Sequence, residues 1–129
     1  MCGLWASCDT CSVPLTVLIV DDYEDFRRVA RALLEADGIE VVGEAADGRS
    51  AISEAERLRP QLVLLDVQLP DIDGFVVAET LGEVSDPPVV VLTSSHPASS
   101  YRRRLAHSPA RGFIAKGELS GEALAALLG

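Results

Sequence analysis

The 129-residue chain has room for one domain of ordinary size around a single hydrophobic core. Its formal net charge of −9 argues against a nucleic-acid backbone or an anionic membrane surface as the main partner, and is compatible with a divalent cation. Hydrophobic residues make up 48% of the chain and aromatics only 5%, so Ala, Val and Leu must do most of the packing.

No apolar run approaches the length of a membrane span, and the N-terminus has no basic stretch leading into an apolar one. The expected setting is cytoplasmic, away from membranes. Residues 1–14 read as a leader, with the folded domain expected over 15–129. All three cysteines (Cys2, Cys8, Cys11) fall in that leader, which is no disulfide framework for a small secreted fold. Cys8 and Cys11 have C-x-x-C spacing. A closed zinc site takes four ligands, however, and His96 and His107 lie far downstream without matching spacing. An untethered leader suits the composition better than a redox or metal-responsive tail.

After Pro14 the pattern changes. Leu15 to Val20 is apolar and rich in β-branched residues, as a strand requires, and ends in the acidic pair Asp21-Asp22. Residues 24–37 read as an amphipathic helix with Phe26, Val29, Ala30, Leu33 and Leu34 on one stripe and Gly38 where a C-terminal cap belongs. Ile39 to Ala45 is a second strand and Asp47-Gly48 a turn. Ala51, Ile52, Ala55 and Leu58 mark the buried side of a second helix that stops before Pro60.

Residues 62–65 are a continuous apolar run, short enough for a buried strand and too short for a helix. The run ends in Asp66, a Pro-Asp-Ile-Asp-Gly turn follows, and a third helix is expected near Phe75 to Val84. A fourth strand, Val89 to Leu92, ends in Thr93, and a short fourth helix is expected around Ser100 to Ala106. A fifth strand, Gly112 to Ala115, ends in Lys116. Ser120 is a plausible N-cap for a last helix whose Leu124, Leu127 and Leu128 face inward. Strand and helix alternate five times, which implies an α/β fold with a parallel sheet and helices on both faces.

The chemistry of such a sheet sits outside the carboxyl ends of its strands. With strand order 2-1-3-4-5 the switch point lies between strands one and three, so Asp21, Asp22 and Asp66 would converge there, flanked by Thr93 and Lys116. Clustered carboxylates raise each other's pKa unless a cation intervenes. Mg²⁺ is the natural one, because it takes hard oxygen ligands and keeps waters or phosphate oxygens. The chain has ten arginines and a single lysine, Lys116, at a strand end facing the acids. A flexible point charge suits a phosphoryl oxygen that comes and goes.

This pattern resembles the receiver domain of two-component response regulators. The matching stretches are Val-Asp-Asp at 20–22, Leu-Leu-Asp followed by Pro-Asp-Ile-Asp-Gly at 64–74, Leu-Thr-Ser at 92–94 and Gly-Phe-Ile-Ala-Lys at 112–116. The resemblance implies a flavodoxin-like, doubly wound, five-stranded sheet with Asp66 as phosphoacceptor. It implies Mg²⁺ bound directly by Asp22, through water by Asp21, and by Asp66 and the backbone carbonyl of Gln68. Thr93 and Lys116 would bind the phosphoryl group, and Thr93 and Phe113 would form a switch. The implied partners are a sensor histidine kinase or phosphotransfer protein and a downstream protein target, with no DNA binding by the chain itself and a homodimer left open.

Two features depart from the family pattern. Gly117 follows the lysine where proline is usual, and residues 97–110, with two prolines and three consecutive arginines, are less regular than a typical fourth helix. A small Mg²⁺-dependent phosphohydrolase using Asp66 as nucleophile would need a substrate cap, and no insertion after a strand is long enough. A degenerate receiver acting only as an interaction module fits poorly with an intact set of strand-end residues. Asp71-Ile-Asp73 imitates the D-x-D of acid-anhydride phosphatases, but Pro70 precedes it where a strand should be, so it reads as a turn.

Overall fold

A computed structural model describes residues 15–128. The leader and its Cys2, Cys8 and Cys11 lie outside the described residues. Five strands run β1 Thr16–Val20, β2 Glu40–Ala45, β3 Leu62–Asp66, β4 Val89–Ser94 and β5 Gly112–Ala115. The helices are α1 Glu24–Ala36, α2 Gly48–Leu58, α3 Gly74–Gly82, α4 Arg102–Ala106 and α5 Gly121–Leu128. The strands pair in parallel, as the alternation implies, in the order β2-β1-β3-β4-β5, the doubly wound 2-1-3-4-5 arrangement that goes with the resemblance.

The two faces follow from the period of two along each strand. Leu18, Val20, Val63, Leu65, Val90 and Leu92 point to one side, where α2 and α3 supply Ala51, Ala55, Phe75, Val77 and Ala78. Val17, Ile19, Leu62, Leu64 and Val91 point to the other, against Ala30 and Leu34 of α1 and Leu124 of α5. Every residue of β3 is buried, which explains its unbroken apolar run. Each of its leucines contributes on the order of 1.5–3 kcal/mol by leaving water.

Several local expectations shift. On α1 only Ala30 and Leu34 are fully buried, whereas Val29 and Leu33 are 54% and 42% exposed. The helix packs along its i,i+4 row through Ala30 and Leu34, and the row through Val29 and Leu33 is rotated out. Arg27 and Arg31, one residue along from Phe26 and Ala30, reach Glu44 of β2 at 2.9 and 2.8 Å. The expected fourth helix is split into a 3₁₀ turn, Ala98–Tyr101, and a five-residue α-helix. Pro97 starts that turn, and Pro109, soon after His107, leaves no room for another helical turn. β4 runs one residue beyond Thr93, through Ser94.

Other expectations hold. Ser120 Oγ accepts the Ala123 N–H at 3.0 Å as an N-cap should. Gly121 is buried where a Cβ would meet the Asp37 side chain, and its N–H donates to Asp37 Oδ2 at 2.9 Å, joining the end of α1 to the start of α5. Lys116 to Glu118 form a 3₁₀ turn, and the Lys116–Gly117 peptide is trans. No helix among the described residues is long and apolar enough to cross a membrane.

Candidate functional site

Strand register assembles the site. Val20 pairs with Leu65, so Asp21 follows β1 beside the point where Asp66 ends β3. Asp66 pairs with Thr93 of β4, and Ser94 pairs with Ala115, which places Lys116 just past the end of β5. Carboxylate oxygens of Asp21, Asp22 and Asp66 all lie within 4.8 Å of one another. Asp21 is fully buried, Asp66 is 3% exposed, and Asp22 is open to solvent.

Each buried acid has a backbone donor of its own. Asp21 Oδ1 accepts the Tyr23 N–H at 2.9 Å, and Asp66 Oδ1 accepts the Gln68 N–H at 3.1 Å. Their other oxygens face Lys116, whose Nζ stands 2.6 Å from Asp21 Oδ2 and 3.4 Å from Asp66 Oδ2. The ammonium also lies over the rings of Phe26 and Tyr23, at 4.8 and 5.2 Å from their centroids. The approach to Asp21 Oδ2 is the shorter of the two and makes Asp21 the closer ion-pair partner of Lys116.

Electrostatics set these groups apart from ordinary surface acids. Burial pushes the Asp66 carboxyl up to about 6, and the charge of Asp21 adds to the rise. The Gln68 N–H and Lys116 oppose it without cancelling it. Burial pulls the Lys116 ammonium down, but the two carboxylates beside it outweigh that and hold it above its usual range. Two buried acids, a third at the rim and one ammonium leave the pocket short of positive charge. A small, hard cation fits this donor set of carboxylate oxygens.

Thr93 Oγ1 is buried and has no hydrogen-bond partner. Such a hydroxyl carries a desolvation cost that a strong acceptor arriving beside Asp66 would relieve. Phe113, one strand over, is half-buried, and its ring centroid lies 5.9 Å from that of Tyr101.

The structure adds residues that pattern reading passed over. Tyr101 stacks between Phe113 and Phe75, both at 5.9 Å, and its hydroxyl meets Ser94 Oγ at 2.9 Å. Arg104 lies 4.2 Å over the Phe75 ring and pairs with Asp73 at 2.8 Å. The one sequence hint was Ser94, a second hydroxyl directly after Thr93 at a strand end. Tyr101 sits in a polar stretch whose periodicity says nothing about its neighbours. Gly74 is a backbone requirement of the site: a Cβ there would run into the Asp66 carbonyl oxygen and lie 2.7 Å from the Val67 Cα.

The chain is similar to known proteins in sequence and in fold. The chain is 40% identical over 111 residues to a Pseudomonas aeruginosa protein named as a transcriptional regulator, covering 85% of this chain and 53% of that one. It is 30% identical over 113 residues to the DNA-binding transcriptional activator EvgA of Escherichia coli, covering 88% of this chain and 55% of EvgA. The chain thus spans about half the length of the curated relatives it matches. Among solved structures, the signal receiver domain of the response regulator NarL from Mycobacterium tuberculosis superposes with a TM-score of 0.80 at 30% identity, covering 90% of this chain and 98% of that one. The family profile of the response regulator receiver domain matches residues 17–128. With the 2-1-3-4-5 sheet and three carboxylates gathered at its switch point, the chain belongs to the response regulator receiver domain family.

Proposed function

We propose that the chain is a phosphoacceptor that takes a phosphoryl group onto Asp66 from a sensor histidine kinase or phosphotransfer protein, then changes the surface a partner protein meets. The observation that carries this reading is the setting of Asp66. It is a buried carboxylate held by one backbone N–H, with Lys116 on one side, the acids that follow β1 on another and an unpartnered hydroxyl beside it.

In the proposed step an Asp66 carboxylate oxygen forms a bond to phosphorus as the phosphorus–nitrogen bond of a phosphohistidine breaks. The electron pair stays with the imidazole, which takes up a proton. Water later cleaves the acyl phosphate and returns the carboxylate with inorganic phosphate. The Gln68 N–H orients Asp66, and Lys116 balances charge on the incoming group. Asp22, Asp21, Asp66 and the Gln68 carbonyl would hold Mg²⁺, which supplies positive charge against the transferring oxygens. Thr93 Oγ1, free of other bonds, donates to the phosphoryl group, and the space it leaves lets Phe113 turn inward.

The chain works as a binding and switching protein rather than a multiple-turnover enzyme. The setting is the cytoplasm, and the output passes by contact with a protein target, alone or as a homodimer. The net charge of −9 disfavours duplex DNA as a direct partner.

Intact mass after incubation with Mg²⁺ and acetyl phosphate tests the reading. One slowly reversing phosphoryl adduct is expected, absent in Asp66→Asn, and Asp22→Ala should need more Mg²⁺ for the same labelling rate. A normal adduct on Asp66→Asn would remove Asp66 from the chemistry. Rapid turnover of the donor would point to a phosphohydrolase instead.

A further inference from the structure

We propose that Asp71 is a positioning residue for the phosphorylation site, tying the loop that carries Gln68 to the first turn of α2. This rests on the reading of Asp66 as phosphoacceptor and of the acidic cluster as a Mg²⁺ site, and assigns a role to a residue outside that cluster.

The loop from β3 to α3 is anchored at its ends. Val67 N–H donates to the Thr93 carbonyl at 2.9 Å, and Gly74 N–H donates to the Val67 carbonyl at 2.8 Å. Gln68 lies just inside these anchors, with its N–H on Asp66. Further along, Asp71 reaches out of the loop. Its Oδ1 accepts the N–H of Gly48 at 2.7 Å and that of Ile72 at 2.8 Å, and its Oδ2 accepts the N–H of Arg49 at 3.0 Å. One carboxylate thus joins two consecutive N–H groups of α2 to its own loop.

The helix leaves these donors for it. α2 has its own N-cap, Asp47, which accepts the Ser50 N–H at 2.8 Å, and the Gly48 and Arg49 N–H groups have no carbonyl a turn earlier to receive them. Asp71 fills that role from across the fold. The helix N-terminus favours a negative charge there, and the Gly48 N–H leads in holding the Asp71 carboxyl below its usual range. Shape enforces the same contact. A Cβ on Gly48 would lie 2.9 Å from Ile72 Cβ in the loop and 3.0 Å from Val77 Cγ2 in α3, so a larger residue there would push these neighbours away.

The other charged tie among the described residues from the middle of the loop to a separate helix is the Asp73–Arg104 pair, which is half-exposed on both sides and worth little. α2 is packed on the sheet through Ala51 and Ala55, so a loop pinned to it is referenced to the core. A backbone carbonyl can serve a cation only if its peptide plane is held; the Gln68 end of the loop is fixed by Val67 and Asp66, and the tie from Asp71 to α2, three residues on, restrains the loop from its other side. Loss of a hydrogen bond made directly to a ligand commonly weakens metal binding by about 10–100-fold, and Asp71, three residues from Gln68, belongs at the low end of that range.

Calorimetric titration of the full chain with Mg²⁺, beside thermal unfolding without Mg²⁺, tests this. Asp71→Ala should raise the Mg²⁺ dissociation constant about tenfold. Asp71→Asn, which keeps Oδ1 but puts an amide donor against Arg49, should fall between it and wild type. Asp47→Ala removes the cap on the same helix without touching the loop. It should lower the melting temperature yet leave the Mg²⁺ constant within about twofold. An unchanged Mg²⁺ constant in Asp71→Ala and Asp71→Asn overturns the positioning role, as does equal weakening in Asp47→Ala. Absence of saturable Mg²⁺ uptake by wild type defeats the metal reading itself, and this inference with it.

Discussion

The strain on Asp66 can be measured without phosphorylation. In the absence of Mg²⁺ its carboxyl is pushed from 3.8 to about 6, first by burial and then by Asp21. The folded protein therefore holds a proton on Asp66 at pH values where the unfolded chain, with an ordinary carboxyl near ~3.9, has lost it. Stability then falls as pH rises through this window, because the native state binds the extra proton. The contribution is intact below about pH 4 and is lost by the time pH has passed through about 6. A shift of roughly two units corresponds to ~3 kcal/mol.

Asp66→Asn keeps the size of the side chain and an oxygen for the Gln68 N–H, but never ionises. Its unfolding free energy relative to wild type should be near zero around pH 4 and climb through pH 4 to 6. It should level at ~3 kcal/mol in favour of the variant at pH 7. Urea melts followed by circular dichroism in chelator, at a series of pH values, read this directly. With a slope of about 1–3 kcal/mol per molar, the midpoint moves by about 1–3 M at pH 7. Mg²⁺ should narrow the gap, since it stabilises the ionised site of wild type by mass action. A pH-independent difference, or a variant less stable than wild type at pH 7, would refute the account of a carboxylate destabilised by burial beside Asp21.

Thr93→Val replaces a buried, unpartnered hydroxyl with a methyl group of the same shape and should stabilise the unphosphorylated protein by about 1 kcal/mol; a loss in the same urea assay would show that Oγ1 has a partner. Gly74→Ala forces a methyl group into the Asp66 carbonyl and should cost about 3 kcal/mol or more, and a wild-type melting temperature would contradict that geometry. Phe113→Ala should leave labelling of Asp66 intact but blunt the change in amide exchange that phosphorylation produces over residues 98–128. Identical exchange responses in wild type and variant would make Phe113 ordinary core.

Much of the fold was legible because a strand buried on both faces leaves a plain trace. The run Leu62 to Leu65 could not be an amphipathic helix, though only the structure sorts Val17, Ile19 and Leu64 from Leu18, Val20 and Leu65 on its two faces. The gathering of Asp21, Asp22 and Asp66 was legible for a related reason: a parallel sheet places its strand ends side by side. Where the reading slipped, local sequence offered more than one solution. Phe26, Val29, Ala30, Leu33 and Leu34 supply two i,i+4 rows, and packing against the sheet chose the row of Ala30 and Leu34. Tyr101 and Asp71 were opaque because their partners are remote or lack a distinctive side chain. Asp71 reads as a turn residue until Gly48 and Arg49, 23 and 22 positions earlier, are seen to donate to it.

The aromatic stack constrains how a signal could leave the site. If Thr93 moves toward a phosphoryl group, the room beside Phe113 is bounded by Tyr101, which is held in turn by Ser94 at 2.9 Å and by contact with Phe75. Inward rotation of Phe113 would change its contact with Tyr101, 5.9 Å between ring centroids, and free that ring to move. Tyr101 ends the 3₁₀ turn that leads directly into α4, so a displaced ring carries the start of that helix with it. α4 has only five residues and none of them is buried, so little packing resists such a shift. The irregular fourth helix, a departure from the family pattern, is on this argument the part of the fold where one residue's rotation costs least to transmit.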